Sequence, residues 1–265
     1  MQNHFIHYHQ RRIRVKFPQD INDPWFAEVQ ANDEGFSAPR FHVTRSESGV
    51  AMEVKSGDTI WLVSQLYSPW GKLPPALDAR IDVADCEARN HEGKGFRYRA
   101  AATSHWFPLS DCSKLLLDLR TISKDGKLNP LLKDPTQPIG YSLQSMRKLS
   151  SGEALYLLEK QLMSKDMHFI SYRIKDGTQG AFEKAKSLIY EGIPFFWDRW
   201  SLPRRLAERR EIVSDERLDS HIKETIRNSA LIWGIETSQY AANGSYSLIE
   251  RCLAMELGKY HPVEQ

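Results

Sequence analysis

The sequence predicts an α/β domain with a parallel sheet over residues 164–265, preceded by a mainly-β domain over residues 1–163. Three observations lead to this prediction. The chain has 265 residues, which suits two domains, because a typical domain has roughly 100–200. Short segments of alternating apolar and charged residues fill the first part of the chain, as in a small barrel or sandwich. After Lys165, strand patterns alternate with helix patterns, which predicts βαβ units with right-handed crossovers.

The first domain is predicted to contain several short strands. Apolar and charged residues alternate with the period of two that is typical of a half-buried strand, and turn signals such as Ser56-Gly57-Asp58 separate the segments. The predicted strands cover residues 13–17, 50–54, 59–63, 79–83 and 96–100. After a polar, proline-bearing stretch, a helix is predicted from a capping box, in which Glu153 stands three residues after Ser150.

The second domain is predicted to alternate three strands with three helices. The strands cover residues 167–172, 193–197 and 230–235, and the helices cover residues 179–190, 218–228 and 245–257. Gly192 suits the C-terminal cap of the first helix, because glycine readily adopts the left-handed conformation found there. Only eight residues follow Leu257, so we expect no further strand. The sheet is therefore predicted to be truncated, or to have its open edge covered by the first domain.

Composition limits the classes of partner and the compartment. The net charge of +2 creates no strong field that would select nucleic acid or a membrane surface. Cys86, Cys112 and Cys252 are odd in number and far apart, which argues against a disulfide framework or a zinc site and favours a reducing compartment. No apolar segment approaches the roughly 20 residues that span a bilayer, and no signal peptide is visible. We therefore expect a cytoplasmic protein.

Histidines cluster near the start of the chain, at His4, His7 and His9. No carboxylate accompanies them at the spacing of metal ligands. We interpret this segment as a mobile terminus and predict no metal site. The sequence also contains no glycine-rich phosphate-binding loop of the Rossmann or Walker type.

Several segments of the second domain occur in an order that is typical of one family. They are FISYR at 169–173, FFWD at 195–198, WSLP at 200–203 and SYSLIE at 245–250. Together they resemble the TIR (Toll/interleukin receptor) domain, whose Ser-Trp-Cys-x-x-Glu signature opens the corresponding helix. Here Tyr246 takes the Trp place and Ser247 takes the Cys place. The resemblance implies a flavodoxin-like parallel sheet of the TIR type.

The resemblance also implies cleavage of the nicotinamide–ribose bond of NAD+, with Glu250 as the catalytic carboxylate. Breaking an N-glycosidic bond builds positive charge on the ribose, and a fixed anion stabilises that charge. On a helix, Glu250 shares one stripe with Tyr246 and Leu253, so it is expected among apolar neighbours. The alternative is a structural salt bridge to Arg173 or Arg251.

The ends of the first two strands are implied to line the NAD+ site, since ligands bind at the carboxyl edge of an open parallel sheet. The implied substrate-binding residues are Ser171, Tyr172, Arg173, Asp198, Trp200 and Tyr246. Arg173 suits a phosphate, although a surface ion pair is equally compatible with the sequence. Trp200 suits stacking on a ring of the substrate, and a core tryptophan is the alternative. NAD+ is the substrate in this interpretation, and no cofactor is expected.

The first domain resembles PUA-like modules, the group that includes EVE, ASCH and YTH domains. The resemblance rests on residues 57–63, a Gly-Asp step followed by an apolar strand, and on the segment 140–149. It implies a β-barrel with a pocket for a modified base or another nucleotide-like ligand. Trp25, Trp61 and Trp70 are candidates to stack on such a base. The alternative is that these tryptophans belong to the core.

These resemblances lead to three hypotheses of function. The first is an NAD+ glycohydrolase effector that assembles into homo-oligomers, is controlled by the N-terminal sensor and suits bacterial antiphage immunity. The second is a non-catalytic TIR assembly module fused to a domain that binds modified nucleic acid or a nucleotide. The third is a nucleoside-processing enzyme on a related fold. Arg204, Arg205, Arg209 and Arg210 follow Trp200 and form either a solvated surface or part of an assembly loop.

Overall fold

The computed structural model describes residues 2–12, 37–46, 49–88, 94–132, 134, 138–202, 216–242 and 244–264. The strand predicted at residues 13–17 lies outside these ranges. Two larger sheets organise the described residues. The first sheet is built from strands between His4 and Lys148, and the second from strands between His168 and Glu264. The fold is therefore mixed α/β, with a curled mixed sheet followed by a separate parallel sheet.

The amino-terminal part consists mainly of strands. Its strands are β1 (His4–Arg12), β2 (Phe41–Thr44), β3 (Thr59–Ser68), β4 (Gly71–Lys72), β5 (Ala76–Ala88), β6 (Phe96–Ala100), β7 (His105–Trp106), β8 (Arg120–Ile122), β9 (Leu128–Pro130) and β10 (Arg147–Lys148). Its helices are α1 (Ser113–Asp118), α2 (Ile139–Ser142) and α3 (Glu153–Met163), together with a 3₁₀ helix at Gly49–Glu53.

The first sheet has the order β10-β1-β3-β5-β6-β2, with β4 beside β3 and β7 beside β5. β1 and β3 run parallel, and the other listed neighbours run antiparallel. β8 and β9 form a separate hairpin. The first sheet is curled, because His42 on β2 reaches across to β1, where its Nε2 lies 2.8 Å from Nδ1 of His7.

Both faces of β3 are buried, because alternate residues pack into different cores. Ile60 and Leu62 belong to the core on the concave face of the sheet. Trp61 and Val63 belong to the core on the other face, where helix α3 contributes Leu155. This explains why β3 has a continuous apolar sequence, which is the pattern of a strand covered on both sides.

Most of the predicted strands of this part are confirmed. The predictions at 59–63 and 79–83 lie within the longer strands β3 and β5, and the prediction at 96–100 coincides with β6. The strand predicted at 50–54 is wrong, because Gly49–Glu53 forms a 3₁₀ helix. Ala51 and Val54 are buried three residues apart while Met52 is exposed, and this spacing fits a helical turn and not a strand.

The predicted capping box at the start of α3 is also wrong. The helix begins at Glu153, with Gly152 at the N-cap and no side-chain cap. Ser150 instead bonds to the carbonyl oxygen of Arg120, which its Oγ reaches at 3.2 Å. The neighbouring Ser151 accepts a hydrogen bond from the amide of Glu153 at 3.1 Å. Pairing with the β8 strand therefore takes Ser150 away from the helix.

The carboxyl-terminal part alternates strands and helices, as predicted. Its elements are β11 (His168–Tyr172), α4 (Thr178–Glu191), β12 (Phe195–Phe196), α5 (Asp198–Ser201), α6 (Glu216–Asn228), β13 (Leu231–Glu236), α7 (Tyr246–Glu256) and β14 (Tyr260–Glu264). The three predicted long helices are confirmed to within two residues at each end. Gly192 caps α4 with a φ of 67°, so the predicted left-handed cap is confirmed.

The second sheet has the order β12-β11-β13-β14, and all of its strands run parallel. Helix α4 packs on one face, where Phe182 meets Ile170. Helices α6 and α7 pack on the other face, where Ile222 and Ala254 meet Phe169. The sheet is thus covered by helices on both faces, as parallel sheets require.

The expectation that no strand follows the last helix is wrong. Gly258, with a φ of 67°, turns the chain directly from α7 into β14, which pairs with β13 from Tyr260 to Glu264. The sequence Tyr-His-Pro-Val-Glu is short and contains Pro262, which argues against a strand. Proline is tolerated because β14 stands at the edge of the second sheet, where a ladder needs no donor on the open side.

One apolar core joins the two sheets. It contains Leu66, Leu73 and Leu109 from the amino-terminal part, together with Phe182 and Leu188 of α4. Trp200 of α5 belongs to the same core and donates a hydrogen bond from Nε1 to the carbonyl oxygen of Phe107 at 3.0 Å. The face of the second sheet that carries α4 therefore packs directly against the amino-terminal part.

A buried ion pair lies at the centre of this junction. Arg11 of β1 and Asp78 of β5 pair through the guanidinium group, and both side chains are almost fully buried. Asp78 also accepts a hydrogen bond from Ser64 at 2.7 Å. Asp78 occupies a β-bulge, since Val63 pairs with Leu77 where a regular ladder would pair it with Asp78. A bulge turns a side chain away from its regular direction, which here brings the carboxylate to Arg11.

Arg11 also reaches the second sheet. Its Nη1 donates to the carbonyl oxygens of Trp200 and Leu202, the latter at 3.3 Å. Its guanidinium carbon lies 4.6 Å from the centre of the Trp200 ring. One cation therefore binds a carboxylate of the first sheet and the backbone at the carboxyl end of α5.

We expect Arg11→Ala to destabilise the protein strongly. The substitution leaves the Asp78 carboxylate buried without its main partner, which costs about 3–5 kcal/mol in comparable pairs. The control is Arg99→Ala, which removes a surface pair with Glu87 and should cost less than about 1 kcal/mol. Urea denaturation of both variants measures the difference. Equal losses would contradict a special role for Arg11.

Candidate active site

A cavity of about 530 Å³ opens at the carboxyl edge of the second sheet. Strands β12 and β13 both follow β11 in the chain and lie on opposite sides of it. Such a divergence of successive strands creates a crevice at the carboxyl ends of a parallel sheet, where ligands bind. The cavity wall is formed by the end of β11, the start of α5, residues before α7, and the first two turns of α7.

Helix α7 presents Glu250 to this cavity. Ser245 caps the helix by accepting a hydrogen bond from the amide of Leu248 at 3.2 Å. Tyr246 and Glu250 are one turn apart and therefore lie on the same side of the helix. Both residues line the cavity, Tyr246 near solvent and Glu250 partly buried.

Glu250 is held by a short chain of hydrogen bonds. The Oγ of Ser171 donates to Oε2 of Glu250 at 2.5 Å. The hydroxyl of Tyr240 lies 2.7 Å from the same Oγ. When Glu250 is ionised, the Ser171 proton points to the carboxylate, so the Tyr240 hydroxyl donates to Ser171. Ser171 and Tyr240 are both buried, and they fix the orientation of the carboxyl group.

The surroundings of Glu250 favour its neutral form. The pKa of Glu250 is raised from 4.5 to about 8, mainly by burial; the hydrogen bond from Ser171 opposes this rise, and the charge of Asp198 adds to it. The salt bridge considered as an alternative is not formed. Arg173 pairs with Asp176 at 3.0 Å, and Arg251 pairs with Glu236 at 3.2 Å.

A second carboxylate of the cavity has the opposite environment. Asp198, at the start of α5, accepts a hydrogen bond from the Tyr172 hydroxyl at 2.7 Å and lies 3.2 Å from Nη2 of Arg199. Arg199 also donates from Nε to the Tyr172 hydroxyl at 2.8 Å. Asp198 is thus compensated, whereas no cation among the described residues pairs with Glu250. Two carboxyl groups in unlike surroundings are a common basis for dividing acid and base roles.

The structure brings together most of the residues predicted for this site. Tyr172, Arg173, Asp198, Tyr246 and Glu250 line the cavity. Ser171 lies behind Glu250 and contacts its carboxyl group. Arg173 bonds to Asp176 and to Oε1 of Gln239, so it has a fixed position beside the cavity.

Trp200 does not belong to this group. Its side chain is buried in the core between the two sheets and contacts Arg11 and Phe107. The short helix α5 turns Asp198 toward the cavity and Trp200 away from it. The core interpretation is therefore correct for Trp200, and stacking on a ligand is excluded in this conformation.

Of the tryptophans predicted to bind a base in the amino-terminal part, the two that the structure describes lie in different cores. Trp61 is fully buried and packs against Tyr156, with ring centres 5.0 Å apart. Trp70 is partly buried and packs at 5.8 Å against Phe182 of the second sheet's helix α4. Trp25 and the arginines of the loop after Trp200 lie outside the described residues.

The interpretation of the first histidines as a mobile terminus is wrong. His4, His7 and His9 belong to β1, which pairs with β3 over its whole length. His7 is buried and its ring lies 5.0 Å from that of His42. Across the described residues, no group of three or more His, Cys, Asp or Glu side chains is arranged to hold a metal ion.

Sequence reasoning missed Tyr240. This residue lies in the turn after β13 and matches none of the segments used above. It supports Ser171 through its hydroxyl, and its backbone oxygen accepts hydrogen bonds from Ser245 and Ser247. Ser247 could have indicated a buried contact, since it takes the Cys place of the signature. Nothing in the sequence identifies its partner.

The chain matches none of the protein-family models, curated proteins or solved structures with which it was compared. None of the helices within the described ranges is both long and apolar enough to cross a membrane. The three cysteines are free thiols.

We expect Glu250→Gln to gain stability relative to the native protein as the pH rises. The pKa of Glu250 is about 8 in the fold against 4.5 ordinarily, so the folded state binds an extra proton between these values. The native protein then loses up to about 1.4 kcal/mol per pH unit in this window, and the Gln variant does not. Denaturation at several pH values measures the difference. Glu256→Gln, on the exposed side of α7, is the control. A constant difference would contradict the burial argument.

Removing the Ser171 hydroxyl should raise the pKa of Glu250 still further. A hydrogen bond to the charged form of a carboxyl group lowers its pKa, and Ser171→Ala deletes that bond. The side-chain carboxyl carbon of Glu250, assigned by its loss in Glu250→Gln, can be titrated by NMR. Ser247→Ala is the control, since Ser247 bonds to the backbone of Tyr240. An unchanged or lower pKa in Ser171→Ala would show that the bond is not formed in solution.

Proposed function

We propose that the carboxyl-terminal part is a TIR-like NAD+ glycohydrolase with Glu250 as its essential carboxylate. The observation that carries the proposal is the partly buried carboxyl group of Glu250, which pairs with no cation among the described residues and lies in the wall of the cavity at the carboxyl edge of the second sheet. This is the residue that the Ser-Trp-Cys-x-x-Glu resemblance selects independently.

The topology supports this proposal. Numbered along the chain, the strands of the second sheet have the order 2-1-3-4, which agrees with the first four strands of a flavodoxin-like sheet. The segments that resemble the TIR family lie at β11, at β12 with α5, and at α7. Three of them reach the cavity from different elements, although they are far apart in the sequence.

The electrostatics of Glu250 favour a cationic substrate. A carboxylate that is desolvated and lacks a cation is costly to ionise, and a positive ring placed beside it removes that cost. The nicotinamide ring of NAD+ carries such a charge, and the ribose gains charge as the bond breaks. In a cavity of low polarity the resulting attraction is far stronger than it would be in water.

The cavity also offers contacts for the rest of NAD+. Phe196 and Ile222 provide apolar walls, and Arg173 and Lys175 provide positive charge beside them. These cations suit the diphosphate. Tyr246 is 38% exposed within the wall and suits stacking on a ring of the substrate.

The proposed reaction is a hydrolysis. The bond between the ribose C1′ and the nicotinamide nitrogen breaks, and the electron pair leaves with the ring, which becomes neutral nicotinamide. Ionised Glu250 stabilises the positive charge on the ribose. A water oxygen then bonds to C1′ and its proton passes to solvent or to Glu250. Ser171 and Tyr240 keep the carboxylate in place through both steps.

We further propose that the amino-terminal part is a PUA-like barrel that controls this activity in the cytoplasm, as in antiphage effectors of the TIR type. The curled first sheet is compatible with a barrel. The junction through Arg11 offers a physical connection, since it binds the backbone directly after α5, the helix that positions Asp198. A ligand of the first sheet that shifts β1 would therefore act on the cavity.

The second candidate function, a non-catalytic assembly module, requires a surface for contact with another chain, and the structure offers one. Helix α7 exposes Ile249, Met255 and Leu257 at 47%, 58% and 39%, and β14 forms an edge of the second sheet beside it. Exposed apolar residues at a sheet edge favour contact with another chain. The same surface also suits the homo-oligomers in which TIR-type enzymes act, so it is compatible with both candidates.

Nicotinamide release from NAD+ by the concentrated protein tests the proposal. We expect release by the native protein and a loss of at least about a hundredfold in Glu250→Gln, the scale for removing a group that stabilises transition-state charge. Glu256→Gln, an equal change on the same helix, should retain activity. Release that is undiminished in Glu250→Gln, or absent in the native protein at every concentration, would contradict the proposal.

The pH dependence separates a charge-stabilising carboxylate from an acid. Because Glu250 has a pKa of about 8 and must be ionised to stabilise the ribosyl cation, kcat/KM for NAD+ should rise with pH through this value. A nucleoside-processing enzyme that uses Glu250 as a proton donor would lose kcat/KM over the same range. A falling profile would therefore replace the proposed role with that third possibility.

A further inference from the structure

A second cavity, of about 760 Å³, lies in the amino-terminal part on the side of the β8–β9 hairpin. Its walls include the hairpin, the short helix α2 and the strand β10. We call it the hairpin cleft. None of its lining residues belongs to the cavity that contains Glu250, so its chemistry is independent of the function proposed above.

Positive charge dominates the hairpin cleft. Lys124, Arg147 and Lys148 line it, against a single carboxylate, Glu53. Lys148 lies 3.7 Å from Glu53. Lys124 and Arg147 are exposed, and neither lies within 4.0 Å of a carboxylate in the described parts of the chain. Two cations therefore remain available in a protein whose overall charge is only +2.

An aromatic ring stands in the same wall. Tyr141 of α2 is 70% exposed, which leaves most of its side chain in contact with solvent. Ile139 and Leu143, on either side, are buried in the core. They anchor the helix, so the ring is presented on a fixed support. An exposed aromatic residue beside cations is the arrangement on which nucleotide bases stack while their phosphates bind the charges.

We infer that the hairpin cleft binds a nucleotide-type ligand, that is, a phosphate-bearing molecule with an aromatic base. Lys124 and Arg147 bind phosphate, and the base stacks on Tyr141. Stacking and phosphate contacts read no base sequence, so the cleft is expected to accept different bases.

Fluorescence anisotropy of a labelled short oligothymidylate with the full-length protein at low salt tests this inference. Calorimetric titration with AMP and with ATP provides the mononucleotide arm. We expect binding that weakens as salt is added, because phosphate contacts release counterions. Tighter binding of the oligonucleotide than of ATP would identify single-stranded nucleic acid as the source of the ligand, and the reverse would identify a free nucleotide.

Two pairs of variants locate the site. Lys124→Glu with Arg147→Glu should weaken binding about tenfold or more, and Lys114→Glu with Lys186→Glu makes the same change of charge on exposed residues outside the cleft. Tyr141→Ala should weaken binding about fivefold or more, and its control is Tyr190→Ala, a residue that is 80% exposed on α4. Circular dichroism confirms that each variant is folded.

Three outcomes would overturn the inference. The first is no binding of either probe at low salt. The second is an equal loss in the cleft variants and their controls, which would indicate attraction by net charge alone. The third is a loss with the charge variants but none with Tyr141→Ala, which would leave a phosphate site without a base. None of these outcomes depends on Glu250 or on nicotinamide release.

Discussion

The buried pair of Arg11 and Asp78 determines how the two sheets of this protein fit together. An arginine in a core is stable only when all its donors are used, because an unpaired buried charge is very costly. Here the carboxylate comes from a bulge in β5, and the other acceptors are the backbone oxygens of Trp200 in α5 and of Leu202 directly after it. Neither sheet alone satisfies the cation. The apolar core around Phe182 and Trp200 adds contact area between the two parts of the protein. The ion pair fixes how these two parts are aligned.

The sequence predicted those elements whose pattern is local. Alternation identified β6, and the helical spacing of apolar residues identified α4, α6 and α7 to within two residues. It failed where tertiary contacts decide the conformation. Residues 50–54 have the composition of a strand and form a 3₁₀ helix, and β14 contains a proline yet pairs fully with β13. The histidines of β1 are polar, and pairing with a strand more than fifty residues later leaves no mark in the sequence around them.

In the candidate site, too, some residues could be predicted from the sequence and others depend on tertiary contacts. The resemblance to the TIR signature selected Glu250, and the rule that ligands bind at the carboxyl edge of a parallel sheet selected Tyr172, Arg173 and Asp198. Neither source could supply the side chains behind them. Tyr240 supports Ser171 from a turn without any motif, and Arg199 compensates Asp198 from within the core. Trp200 is only two residues from Asp198, but the single turn of α5 places its side chain in the core between the two sheets and not in the cavity.

The pairing of β1 has a consequence for the order in which the protein folds during synthesis. β1 is paired in parallel with β3 and antiparallel with β10, and Arg11 at its end also requires the backbone at Leu202. A ribosome releases residues 4–12 long before residue 148 or residue 202. The first sheet therefore cannot be completed, nor its arginine satisfied, until most of the chain has emerged. β1 can pair with β3 early, but its other edge and the guanidinium group of Arg11 lack their partners until residues 148 and 202 have emerged. The earliest described strand is therefore among the last to be fully bonded, and its open edge is accessible to chaperones until then.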